Sequence, residues 1–190
     1  MVKFICFLIL KCSGWTFKGS LPDNLRSFVF IGAPHTSNHD FVPAMAVVWW
    51  MKRKARFVIK NEWMRFPLGL ILKPAGAIGL DRSQLKVEGH VSNVELMADL
   101  FKQFPELVLM ISPEGTRKPN DKWKTGFYYI AEKAKVPIVL GYGNYKKKEA
   151  GVGLIIYPTD FEKDMNTISS FYREIGAKVP ENFKTDKKYS

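Results

Sequence analysis

The chain has 190 residues, of which 46% are hydrophobic and 25% charged, so it is long enough and apolar enough to bury the core of one domain. Its formal net charge of +11 favours anionic partners such as phosphorylated small molecules, lipid headgroups or nucleic acid, without choosing among them. No internal repeat and no low-complexity tract is present, which argues against a solenoid or a disordered chain.

"FICFLIL" (Phe4 to Leu10) opens the chain as a seven-residue apolar run between Lys3 and Lys11. It is too short to span a bilayer, which takes roughly 20 residues. It is a buried first element or an interfacial anchor, and Trp15, Phe17 and the flanking lysines favour the interface. The two cysteines, Cys6 and Cys12, both fall here, so they cannot staple the domain, and no Cys-x-x-Cys pair is present.

Further along, hydrophobic patterning alternates between strands and helices. Residues 27–32 read as a strand, 40–54 as a helix and 55–60 as a second strand. Asn61 is a candidate cap for a helix through Leu68, bent at Pro67. Residues 76–80 form a short strand, and apolar positions at helical spacing mark 84–104. Residues 106–112 read as a buried strand, 125–135 as a helix, 136–141 and 151–158 as strands, and 164–175 as a last helix. The expectation is a single α/β domain with a largely parallel central sheet flanked by helices. An N-terminal apolar and aromatic segment (1–20) precedes a main domain (21–180), and a polar, frayed tail (181–190) follows.

In such folds ligands bind beyond the carboxyl ends of the strands. Two polar loops fall there. In "PHTSNHD", His35 and His39 stand at the i, i+4 spacing of a metal pair, but a catalytic zinc needs a third ligand, for which Glu114 is the candidate. General-base chemistry asks for less: one neutral imidazole and a carboxylate to orient it. His35 and Asp40 meet if His35 lies on the turn before a helix and Asp40 in its first turn. In "SPEGTR", Gly115 lets the backbone approach a ligand, Thr116 offers a hydroxyl and Arg117 a fork suited to phosphate. A third loop, "GAIGLDRS", carries Arg82. No nucleophile elbow, Walker A motif or Gly-x-Gly-x-x-Gly occurs.

Taken in order, these loops resemble the sequence blocks of the glycerolipid acyltransferases. "HTSNHD" matches their His-x-x-x-x-Asp signature. "GAIGLDRS" is similar to their Gly-x-Ile-x-x-x-Arg block, "SPEGTR" to Glu-Gly-Thr-Arg, and "VPIVLG" to the apolar Val-Pro-Ile strand. Together they cover Phe28 to Gly141. The resemblance implies transfer of a fatty acyl group from acyl-CoA or acyl-carrier protein to the hydroxyl of a lysophospholipid such as 1-acylglycerol-3-phosphate, in phospholipid biosynthesis. Lyso-ornithine lipid is an alternative acceptor. It implies His35 as base, Asp40 as its partner, and Lys60, Arg82, Glu114, Gly115, Thr116 and Arg117 around the acceptor. It implies no cofactor beyond the acyl donor and a place at the cytoplasmic face of the membrane. No metal is expected from one partial ligand pair, and no nucleic-acid partner from a sequence without an aromatic–basic stacking pattern. Readings from other classes are a metal-dependent hydrolase built on His35 and His39, and a non-catalytic module for anionic lipid.

Overall fold

In the computed structural model, which describes residues 2–53, 55–80 and 93–189, one twisted sheet runs through the molecule with helices on both faces. The helices are α1 (Val2–Cys12), α2 (Phe41–Trp50), α3 (Gly69–Ala75), α4 (Asn93–Gln103), α5 (Gly126–Ala134) and α6 (Phe161–Arg173). The strands are β1 (Thr16–Lys18), β2 (Phe28–Gly32), β3 (Ala55–Lys60), β4 (Ala77–Leu80), β5 (Val108–Ile111), β6 (Ile138–Asn144) and β7 (Glu149–Ile156). They lie in the order β1-β7-β6-β2-β5-β3-β4, and every neighbouring pair is parallel except β6 with β7. This is the expected α/β domain.

The two-residue period of a strand explains why β2 and β5 are apolar without a break. Phe28 and Phe30 face the layer of α1 and α2, whereas Val29 and Ile31 face α5 and α6. In β5, Val108 joins the first layer and Leu109 the second. All six are at most 2% exposed, and each such side chain contributes roughly 1.5–3 kcal/mol by leaving water. Gly141 of β6 is small for a packing reason, since a Cβ there would overlap the Phe30 ring.

Several boundaries differ from the sequence expectation. Residues 61–68 do not form a helix: a 3₁₀ turn (Asn61–Met64) leads to the Phe66–Pro67 bond, and α3 begins only at Gly69. The backbone of Met64 packs so closely on Gly69 that a Cβ would overlap it. β6 continues three residues past Gly141, to Asn144. β1 was absent from the sequence reading. It is a three-residue edge strand held by β7 and by the Thr16 N–H donating to Lys148 O at 2.9 Å. The tail does not fray. Tyr189 is 6% exposed, the Trp123 N–H donates to Asp186 Oδ2 (2.9 Å), and the Lys187 N–H donates to Asp121 O (2.8 Å). Of the helix expected over 84–104, residues 84–92 lie outside the described residues.

Candidate active site

The carboxyl ends of β2, β3, β4 and β5 all point to one edge of the sheet, because those strands are mutually parallel. β2 ends at Gly32, and the chain passes through Ala33 and Pro34 to His35. Ser37 then caps a 3₁₀ turn (Asn38–Asp40) that runs into α2. Its hydroxyl accepts the His39 N–H, and Asp40 accepts the Ser37 N–H in return, which is a capping box. Asp40 Oδ2 also accepts the Thr36 N–H, both bonds being 2.7 Å. Two main-chain donors therefore fix the carboxylate before any substrate arrives.

His35 Nδ1 lies 3.7 Å from that same Oδ2, close enough for charge attraction and longer than a hydrogen bond. The arrangement directs Nδ1–H toward Asp40 and leaves Nε2 to accept a proton. The imidazole is 29% exposed and the Asp40 carboxylate 6%. Tyr145, just beyond β6, lines the same small cavity as His35 and Asp40. Burial and the Asp40 charge raise its phenol pKa, and Asp40 Oδ1 is otherwise buried without a hydrogen-bond partner.

The second loop meets the first directly. Glu114 is 3% exposed, and its Oε2 accepts the His35 N–H at 2.7 Å. Burial raises its carboxyl from 4.5 to about 8, with the Asp40 charge adding to the rise and the His35 N–H opposing it. Burial thus favours the neutral form of the Glu114 carboxyl. Gly115 turns the chain in the left-handed region (φ +66°), where other residues are strained, and Asn120 Nδ2 donates to Glu114 O (2.8 Å) to hold the loop. Thr116 Oγ1 accepts the Lys118 N–H (3.2 Å), while Arg117 is exposed.

A cleft of about 360 Å³ opens over His35 and Asp40. Its apolar walls include Phe41, Ala44, Met45 and Leu72, and Arg117 borders it. The structure thus brings His35, Asp40, Glu114 and Arg117 to one place. Lys60 ends β3 at the same edge, three residues beyond Phe57, the partner of Met110. Nothing is described of its side chain, and Arg82 lies outside the described residues. His39 does not join His35: it is exposed, with Nδ1 3.0 Å from Ser37 Oγ. Among the described residues no three His, Cys, Asp or Glu side chains converge as metal ligands.

The sequence reading missed the supports of the site. Tyr172 of α6 is fully buried, and its hydroxyl lies 2.8 Å from Ile31 O and 3.0 Å from Gly141 O, tying the end of β2 to the middle of β6. Thr36 Oγ1 accepts the Val179 N–H at 3.2 Å. No local motif marks these residues.

Burial lowers the His35 pKa below its ordinary 6.5, the Arg117 charge lowers it further, and Asp40 raises it. The ring is therefore a neutral base at neutral pH. A ring-proton NMR titration of the free protein is expected to give a midpoint below 6.5. Arg117→Ala removes a lowering charge and moves the midpoint up, whereas Asp40→Asn removes the raising one and moves it down. A parent midpoint above 6.5, or the opposite order of the variants, contradicts this electrostatic arrangement.

The chain and its fold have known relatives. The family profile described as Acyltransferase matches residues 20–139, more than half the chain, and the chain belongs to that family. Among solved structures it resembles the crystal structure of the 1-acyl-sn-glycerophosphate (LPA) acyltransferase PlsC from Thermotoga maritima. The TM-score is 0.60 at 14% identity, over 93% of this chain and 79% of that one, a likeness of fold. No curated protein matches the sequence.

Proposed function

We propose that the protein transfers a fatty acyl group from a thioester donor, acyl-CoA or acyl-carrier protein, to the hydroxyl of a lysophospholipid such as 1-acylglycerol-3-phosphate, in phospholipid biosynthesis at a membrane surface. One observation carries the reading: His35 faces a buried, doubly anchored Asp40 on one side and an apolar cleft bordered by Arg117 on the other. The acceptor named for the PlsC structure fits that polarity, with a chain for the apolar walls and a phosphate for the cation.

In this reading His35 Nε2 takes the acceptor's hydroxyl proton as the oxygen attacks the thioester carbonyl. The tetrahedral intermediate collapses, the C–S bond breaks, and the imidazolium returns its proton to the departing thiolate. Asp40 stabilises the imidazolium that exists between these steps. A thioester is already activated, so no acyl-enzyme is required. Arg117, with Lys60, Arg82, Gly115 and Thr116, would hold the acceptor's phosphate or glycerol end, beside the Glu114 carboxyl.

No described helix is long and apolar enough to cross a membrane. α1 buries Cys6 and Leu10 against the protein and exposes Phe4, Ile5, Leu8 and Ile9 by 41–50%. That outer face supports lying on a membrane surface, which in this proposal is the cytoplasmic one. Trp15, counted from the sequence among interfacial aromatics, is instead 7% exposed and packs edge-on against Tyr145.

The test is a panel: purified protein with acyl-CoA or acyl-carrier protein, several lysolipids as acceptors, and products read by mass spectrometry. The expected product is the diacyl phospholipid from 1-acylglycerol-3-phosphate. Acylation of lyso-ornithine lipid alone would move the acceptor, and no acyl transfer to any lysolipid would refute the proposal.

A further inference from the structure

We propose that a second cleft, at the amino-terminal edge of the sheet between α1, the end of α2 and α3, binds the headgroup of an anionic phospholipid in the bilayer. This site lies apart from the catalytic cleft, because Trp49 on its wall follows Asp40 by nine residues of α2, roughly 13 Å along the axis. Its volume is about 750 Å³, and five of its lining residues are basic: Lys3, Lys52, Arg53, Arg56 and Lys73. None of the described residues lining it is acidic.

The cations are not equivalent. Arg53 is engaged with the carbonyls of Leu25 and Pro22 (3.2 and 3.3 Å). Lys52 and Arg53 also border a smaller cleft that contains Asp23 and Glu106. Lys3, Arg56 and Lys73 do not line that smaller cleft, so the phosphate site rests on them. The Arg56 guanidinium is buttressed 4.8 Å above the Phe104 ring. Lys3 is held near it from α1, and burial together with the Arg56 charge lowers the Lys3 pKa. Two neighbouring cations repel each other, and a bound anion would relieve that repulsion.

The surroundings select the anion's source. Trp49 and Trp50 line the cleft yet remain 43% and 40% exposed. Beside it on α3, Leu70 and Ile71 are 69% and 52% exposed, and Phe66, ahead of that helix, is 84% exposed. With the outer face of α1, these side chains surround the basic cleft with exposed apolar groups. A free phosphate explains the basic floor but not the apolar surroundings. A second copy would bring one chain of net charge +11 against another. A phospholipid in an anionic leaflet supplies both the phosphate and the hydrocarbon. Leu72 lines the catalytic cleft and Lys73 this one, so a lipid held here would turn the catalytic mouth toward the same leaflet.

The experiment is co-sedimentation with phosphatidylcholine vesicles, with and without phosphatidylglycerol. The parent is expected to bind mixed vesicles, and Lys3→Gln/Lys73→Gln to bind them about thirtyfold more weakly with an unchanged melting temperature. Lys146→Gln/Lys147→Gln, which removes the same charge from the exposed turn after β6, is expected to bind as the parent does. Equal losses from both pairs mean diffuse attraction and overturn the site, as does equal binding of the parent to pure phosphatidylcholine. Saturable binding of inorganic phosphate that is lost in Lys3→Gln/Lys73→Gln, with vesicle binding unchanged, would make this a free-anion site and also overturn the proposal. Vesicle binding is read without turnover, so a failure of the acyl-transfer reading leaves this result standing.

Discussion

His35→Ala is expected to lower acyl-transfer turnover by about 10²–10⁴-fold, the range a positioned general base supplies, while the melting temperature stays near that of the parent. The two parts of this result separate because the histidine's structural and chemical duties use different atoms. Its main-chain N–H, which donates to Glu114, survives the substitution. So do the two N–H donors that hold Asp40, which come from Thr36 and Ser37. Only the imidazole is lost, and it is partly exposed, so little packing goes with it. His39→Ala is the matched control, and it is expected to keep full activity because that ring points to Ser37 and to solvent. The readout is thiol release from acyl-CoA in the presence of lysolipid. Undiminished release in the His35 variant would falsify the base role.

What could be read from the chain beforehand follows the range of the interactions. The His35–Asp40 relation was legible because it is local: Ser37 caps the turn, and five residues separate base from carboxylate. The meeting of this loop with "SPEGTR" was legible at one remove, because parallel strands bring their carboxyl ends to a common edge. Tyr172 was not legible, since its hydroxyl reaches Ile31 O across 141 residues of sequence and no motif records the approach. Tyr145 escaped because the strand reads as ending at residue 141, and only pairing with β7 shows that it runs on to Asn144. The docked tail escaped for a related reason. Its lysines are polar by composition, but Asp186 and Tyr189 are buried where they meet the Trp123 region and α6. For Glu114 the resemblance implies contact with the acceptor, and the fold adds a bond from the His35 backbone N–H.

That bond makes Glu114→Gln the most informative change at the second loop. The glutamine is nearly isosteric with a protonated glutamate, and its amide oxygen still accepts the His35 N–H. In the folded parent the carboxyl titrates at about 8 instead of its ordinary 4.5. Between those two values the folded state holds a proton that the unfolded chain has released, so stability falls as pH rises. At about 1.4 kcal/mol per unit, the loss is on the order of 5 kcal/mol across the window. It is absent below the unfolded value and complete above the folded one. The glutamine cannot ionise, so its denaturation midpoint relative to the parent is expected to rise from pH 5 to about pH 8 and to level off above it. The same titration reaches the chemistry. Ionised Glu114 adds a negative charge where an acceptor phosphate would sit, so the parent is expected to lose kcat/KM with anionic acceptors on an alkaline limb near 8, a limb missing in Glu114→Gln. Parallel stability curves for the two proteins over this range would show instead that Glu114 is already ionised in the folded state, its charge held by the His35 N–H and by Arg117 at the border of the cleft.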